Sequence, residues 1–221
     1  METDGFNLTM KLNLMMTTLL VAAGVAAAET KVTFDASNDL PKGWQTGITG
    51  QGQAKWDVVA DDSAASKPNV LKQSGEATFC WAAKTDEAIK DGFAEVKLKA
   101  VSGKEDQAGG IVFRFLDGNN YYVVRANALE DNVVLYKTVG GKRTSLPVKG
   151  RMFGYGVDTK VPKGRWNTLR VEFKGNLFTV FFNGKHLFEV EDGTFKDAGA
   201  IGVWTKADSV TLFDDFTFGA K

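Results

Sequence analysis

The chain has 221 residues, with 27 basic residues set against 27 acidic ones and a single cysteine, Cys80. So balanced a charge offers no basic field to hold phosphates, which argues against nucleic acid as a partner. One thiol excludes an internal disulfide framework and a cysteine-rich metal site.

The N-terminal residues read as a leader. Lys11 supplies a positive n-region, residues 14–25 an apolar h-region, and Ala26, Ala27 and Ala28 a small-residue cleavage site before Glu29. Glu2 and Asp4 fit this pattern poorly, so Met10 is a better start than Met1. About 20 apolar residues are needed to span a membrane, and the h-region is shorter. The expectation is a signal peptide over 1–28, export to the periplasm or beyond, and no membrane insertion after the leader is removed. The remaining residues, 29–221, suit one β-sandwich domain, large enough to bury a core without staples.

Beyond the leader, the pattern is one of short strands separated by Gly, Asn and Asp. In chain order the expected strands are 31–34, 55–60, 69–73, 77–82, 93–100, 110–116, 121–126, 132–138, 142–146, 168–174, 177–182, 185–190, 200–205 and 210–218. Residues 86–91 are the one place where a short helical turn is expected, and 147–163 the longest loop. Cys80 lies in an apolar run and is expected to be a buried, inert thiol. Asn183-Gly184 between alternating strands predicts a two-residue type I′ hairpin, because both residues accept positive φ. So many strands with tight turns predict an all-β fold, a two-sheet antiparallel sandwich.

Alternation assigns faces. Val96 and Leu98 oppose Glu95, Lys97 and Lys99, so that strand has one wet face. In 110–116 and 121–126, Ile111, Phe113, Phe115, Tyr122 and Val124 are expected on one side. Val112, Arg114, Leu116, Tyr121, Val123 and Arg125 fall on the other. A face holding two guanidiniums, a phenol and apolar groups is not an ordinary solvated one.

Four stretches carry a family resemblance: Gln107-Ala-Gly-Gly-Ile-Val-Phe-Arg114, Asn120-Tyr-Tyr-Val-Val-Arg-Ala-Asn-Ala-Leu-Glu130, Gly164-Arg-Trp166, and Val203-Trp-Thr-Lys-Ala-Asp-Ser-Val210 with Phe213-Asp-Asp-Phe216. They resemble exported bacterial proteins of the concanavalin A-like (laminin G-like) jelly-roll class, related to 3-keto-disaccharide hydrolase domains. The resemblance spans most of 32–218. It implies a twisted jelly roll with one concave face, on a fold that hosts glycanases, lectins and inert spacers alike.

On that fold the face of Arg114, Tyr121 and Arg125 is the leading candidate for a saccharide, expected to be neutral. A phenol offers a platform to a sugar ring and guanidiniums offer fixed donor forks. Asn127, Glu130 and Asp131 in the following loop add acceptors, and Trp204 with Lys206 reaches the rim. The competing reading pairs both arginines with carboxylates as sheet cover. The resemblance also implies a structural Ca²⁺ held by Asp214, with Asp35 nearby supplying further oxygens.

Signals for catalysis are sparse. The Glu-x-Asp-x-x-Glu pattern of retaining glycanases of this fold is absent, although Glu189 and Glu191 share a strand face. The one histidine, His186, follows a hairpin turn with no Ser or Cys near it in sequence. The expectation is a carbohydrate-binding sandwich. A glycoside hydrolase of the 3-keto-disaccharide type and a non-catalytic envelope protein are the alternatives.

Overall fold

The computed structural model describes residues 1–2, 29–152 and 154–221. The leader expected over 1–28 falls almost wholly outside them. Sixteen strands form, and the described residues contain no helix. In chain order they are β1 (Thr30–Val32), β2 (Trp44–Gln53), β3 (Trp56–Ala60), β4 (Asn69–Gln73) and β5 (Glu76–Ile89). Next come β6 (Gly92–Ser102), β7 (Ala108–Asp117), β8 (Asn120–Asn127), β9 (Asn132–Val139) and β10 (Lys142–Ser145). The last six are β11 (Val157–Asp158), β12 (Asn167–Lys174), β13 (Leu177–Phe182), β14 (Lys185–Glu191), β15 (Gly199–Ala207) and β16 (Val210–Ala220).

Two antiparallel sheets stack as a jelly-roll sandwich. The first has the order β14-β13-β12-β6-β16-β4-β3, with β1 also on β16. The second has the order β10-β9-β8-β7-β15-β5-β2, with β11 on β9. Between them lie the inward residues that alternation selects, among them Val96, Leu98, Ile111, Phe113, Tyr122 and Val171, all essentially inaccessible to solvent. Phe113 stacks on Tyr122 at 5.2 Å and on Phe173 at 5.1 Å, an offset geometry that aromatic quadrupoles favour. Asn183 and Gly184 adopt φ of 49° and 75°, the two positive values of the expected I′ turn.

Two expectations about elements fail. Residues 86–91 form no helical turn: β5 runs straight on through them to Ile89. Lys84 and Asp86 pair at 2.7 Å along that strand. Strand β2 has no counterpart in the sequence reading, since Trp-Gln-Thr-Gly-Ile-Thr-Gly-Gln-Gly-Gln lacks apolar alternation. It forms by pairing with β5, whose hydrogen-bonding edge would otherwise be bare.

The second sheet is strongly curled. Thr49 of β2 lies 2.9 Å from the Tyr121 hydroxyl on β8, although three strands stand between them in the sheet. On a flat sheet those strands would be ~19 Å apart. Arg143 of β10 likewise reaches the Phe79 ring of β5 at 4.6 Å, across four intervening strands. The outer face of this sheet is therefore the concave one, with its edges drawn toward each other.

Candidate functional site: the curled outer face

The face is built from rows of side chains set by strand register. Trp204 on β15, Gly110 on β7 and Arg125 on β8 fall in line across three strands. Gly110 is required there, because a Cβ would come within 2.4 Å of the Val124 carbonyl oxygen. Tyr136 on β9 stands opposite Val123, and Arg143 opposite Thr138.

The centre of the hollow is filled by the protein itself. Phe79, Val112, Tyr121, Val123, Tyr136 and Trp204 pack as a second apolar cluster, and all are buried. The Arg143 guanidinium lies over the rings of Tyr136, Phe79 and Trp204 at 4.2, 4.6 and 5.4 Å. Tyr155, from the loop after β10, meets Tyr136 through their hydroxyls. Burial raises the Tyr136 phenol well above the ordinary tyrosine value.

One end of the hollow carries a charged network. Arg125 is wholly buried, and its Nη1 and Nη2 donate to the two Glu130 oxygens at 3.1 Å each. Nη2 also donates to Asn132 Oδ1 at 2.7 Å. Buried Asn127 uses one amide nitrogen for both Asp106 and Glu130, bringing those carboxyls within about two hydrogen-bond lengths, ~6 Å, of each other. Lys206 closes the set by pairing with Asp106. The Arg125 hydrogen bond, outweighing the cost of burial, holds the Glu130 carboxyl down at about 2.

This end opens on a cleft of about 520 Å³ lined by Gln51, Gly52, Glu76, Thr78, Glu105 and Lys206, among others. Two strand pairings are irregular here. Register slips between Thr49 and Gly52 on β2, and between Lys206 and Ala207 on β15. Bulges of this kind re-aim side chains beside functional surfaces. The opposite end of the face holds a second cleft of about 500 Å³, whose lining includes Trp81, Phe115, Leu116 and Asp117.

Of the residues singled out from the sequence, Tyr121, Arg125, Asn127, Glu130, Trp204 and Lys206 do share this face. Only Glu130 and Lys206 reach solvent. Trp204 was expected at the rim, yet it is fully buried beneath Arg143 and bonds the Tyr121 hydroxyl through Nε1 at 3.4 Å. Tyr121, Arg125 and Asn127 are buried as well, so they brace the site and offer a ligand no exposed surface.

Arg114 is the clear correction. A bulge in β7, where Arg114 takes φ of 44°, inserts one residue against β15 between Val112 and Phe115 and reverses the alternation. Phe115 thereby moves onto the curled face, 5.4 Å from Tyr121, and Leu116 to the surface. Arg114 turns to the inter-sheet side over Phe173 and Phe178. It donates to the carbonyls of Lys90, Phe195 and Gly175 at 3.0, 2.8 and 2.6 Å, and to Asp91 at 3.3 Å. It closes one end of the core.

Asp214 is buried on β16 with its oxygens taken by donors: Ser66 N–H at 2.7 Å, Ser66 Oγ at 2.8 Å and Asp215 N–H at 2.7 Å. Burial raises its pKa. Asp35 accepts from Asn69 N–H at 2.9 Å, and neighbouring Asp215 pairs with Lys31 and Lys97 at 2.7 and 2.6 Å. Calcium needs converging oxygen acceptors, and these are committed to N–H and O–H donors beside two ammonium groups. The set does not fit Ca²⁺; it fits an anchor for the Ser66 loop. Among the described residues no group of three or more His, Cys, Asp or Glu side chains is placed to hold a metal. His186 sits on β14, against Phe181 at 5.7 Å on the first sheet, remote from the curled face.

Arg143 and Asp106 are the residues that sequence reasoning missed. Arg143 lies on a four-residue polar strand, Lys-Arg-Thr-Ser, with no pattern to distinguish it. Asp106 stands in a polar loop whose burial depends on Lys206, a hundred residues away.

Residues 29–218 match the family model described as the 3-keto-alpha-glucoside-1,2-lyase-like domain. No curated protein sequence gives a significant match. Among solved structures, the carbohydrate binding module CBM66 from Bacillus subtilis is similar at 18% identity and a TM-score of 0.63, over 80% of this chain and 95% of that one. The cellulose induced protein Cip1 is similar at 14% identity and a TM-score of 0.63, over 86% and 96%. A Bacillus licheniformis beta-glucanase is similar at 12% identity and a TM-score of 0.54, over 87% and 98%. At these identities the likeness concerns the fold, and it agrees with the concanavalin A-like architecture.

Proposed function

We propose, for a chain that belongs to the 3-keto-alpha-glucoside-1,2-lyase-like domain family, that the curled face binds a saccharide at its Lys206 end. One observation carries the reading: Asp106, Asn127, Glu130, Arg125 and Lys206 converge in a mutually bonded network beside a cleft of about 520 Å³. Vicinal sugar hydroxyls both donate and accept, and Glu130 and Lys206, the members that reach solvent, are already fixed by buried Arg125, Asn127 and Asp106, so they lose little freedom on meeting them. The neighbouring carbohydrate binding module supplies a precedent in architecture, not in residues. The leader pattern supports a place in the periplasm or outside the cell, where glycans are met. No helix among the described residues is long and apolar enough to cross a membrane.

Binding is favoured over turnover. Glycoside hydrolysis needs one carboxyl that stays protonated near neutrality. Arg125 holds Glu130 at about 2, and Asp106 is tied to Lys206 and Asn127. Glu130 therefore serves better as an acceptor than as an acid, and Asp106 is buried and already used within the network.

One observation favours a second reading, a non-catalytic envelope protein without a sugar ligand. The middle of the hollow is occupied by Arg143, Tyr136 and Trp204, which leaves no deep groove. A glycan array probed with the protein lacking its leader separates the two. The saccharide reading expects at least one glycan class to be retained, with affinity reduced about tenfold or more in Glu105→Ala or Thr78→Ala. A blank array from a folded sample would favour the envelope reading.

A further inference from the structure

We infer that the saccharide bears an acidic group, a carboxylate or a sulfate, and that Arg143 is the residue that selects it. This rests on the saccharide reading above and departs from the neutral ligand suggested by overall charge. Net charge is a global quantity; on the curled face Arg143, alone of three cations, has no carboxylate bound to it, while Glu76 and Glu105 line the adjacent cleft.

Three cations meet at this face, and two have carboxylates of their own. Arg125 is neutralised by Glu130 through paired 3.1 Å bonds, and Lys206 by Asp106. Arg143 makes no salt bridge among the described residues, and its Nη1 is buried without a hydrogen-bond partner. A guanidinium has five N–H donors, and a buried one left idle is costly. The three rings around it answer part of its charge through their faces, but rings accept nothing in the guanidinium plane. The in-plane edge is where two oxygens of a carboxylate or a sulfate accept parallel bonds.

Access and position agree. Arg143 is only partly buried, on an edge strand of four residues. It leans on Phe79, whose neighbours on β5, Ala77 and Thr78, line the cleft. Phe79 also pairs in register with Lys206, so a saccharide that extends from Lys206 over Phe79 meets this guanidinium, which itself lies outside the cleft lining. Burial also lowers the Arg143 pKa, and the charge of Arg125 adds to that, so an incoming anion relieves strain on both counts.

The test is calorimetric titration of three oligosaccharides of one backbone: neutral, uronate-bearing and sulfated. Each is run against the unaltered protein and Arg143→Met, with melting temperature recorded as the check on folding. The expected result is that one acidic form binds about tenfold or more tighter than the neutral form, and that the ratio falls to near one in Arg143→Met. The uronate and sulfate arms decide which oxyanion is preferred. Arg143→Gln, planar and uncharged, makes the same comparison if the methionine variant does not fold. Equal affinity for neutral and acidic forms, or a preference that survives loss of Arg143, overturns the inference and leaves the saccharide reading in place. No binding of any form overturns both.

Discussion

Arg114, at one end of the core, and Arg143, on the curled face, both lie across aromatic rings, and they differ in what meets their nitrogens. Arg114 finds three carbonyls and a carboxylate, every one supplied by a loop or strand end that the fold must fix in place. Among the described residues Arg143 finds rings, and its buried Nη1 finds no acceptor. The first arrangement explains itself by stability. The second is left incomplete by the chain, and an incomplete charged group beside a cleft marks a place where another molecule supplies the missing acceptors.

The widest separation between the two regions is expected in mutational stability. Arg114→Ala strands three buried carbonyls and Asp91, and the loss expected from urea denaturation is about 3–5 kcal/mol. Arg143→Met exchanges an uncompensated charge for an apolar chain of similar reach, so its unfolding free energy should change by no more than about 1 kcal/mol in either direction. Comparable losses in the two variants would remove the distinction.

A smaller effect is expected from Glu130, at the rim of the curled face. Its folded value, about 2, lies below the ordinary carboxylate value of 4.5. The stabilisation it brings is present above that ordinary value and is lost as pH falls through about 2. Because the carboxylate is more than a third exposed, solvent screening keeps the contribution near or below ~1 kcal/mol. Denaturation midpoints measured from pH 5 to pH 2 should show this loss, and Glu130→Gln should flatten the corresponding part of the profile.

Two null effects test the convex side and the sheet interior. Chelator should leave the melting temperature unchanged, because the Asp214 oxygens are held by Ser66 and Asp215. Cys80 is buried, with its thiol pushed up to about 11, so it should resist thiol reagents until the protein is denatured. A chelator-induced drop in melting temperature, or rapid labelling of the native thiol, would contradict these placements.

Local pattern carried most of the fold. Residues 69–73 sit between turn signals, and β4 occupies those same residues. The Asn183-Gly184 hairpin is a matter of two φ values, and those depend on the two residues alone. What escaped was non-local. The bulge at Arg114 exchanges the faces of Arg114 and Phe115, because Arg114 gains carbonyls from Lys90, Gly175 and Phe195 that no neighbouring residue announces. Strand β2 exists because β5 needs a partner. The curl of the second sheet brings Arg143 to Phe79, two residues with nothing in common in sequence, and the composition of neither predicts it. The candidate face was legible as a stripe mixing arginine and tyrosine; which members reach solvent was not.

The most direct measurement is an amide chemical-shift titration of the isotope-labelled protein with a saccharide retained on the array. The account predicts that shifts concentrate on Thr78, Glu105, Asp106, Arg143 and Lys206, and that Arg114 and the first sheet stay still. Shifts centred on Trp81 and Leu116, or on the β12–β14 surface, would contradict it.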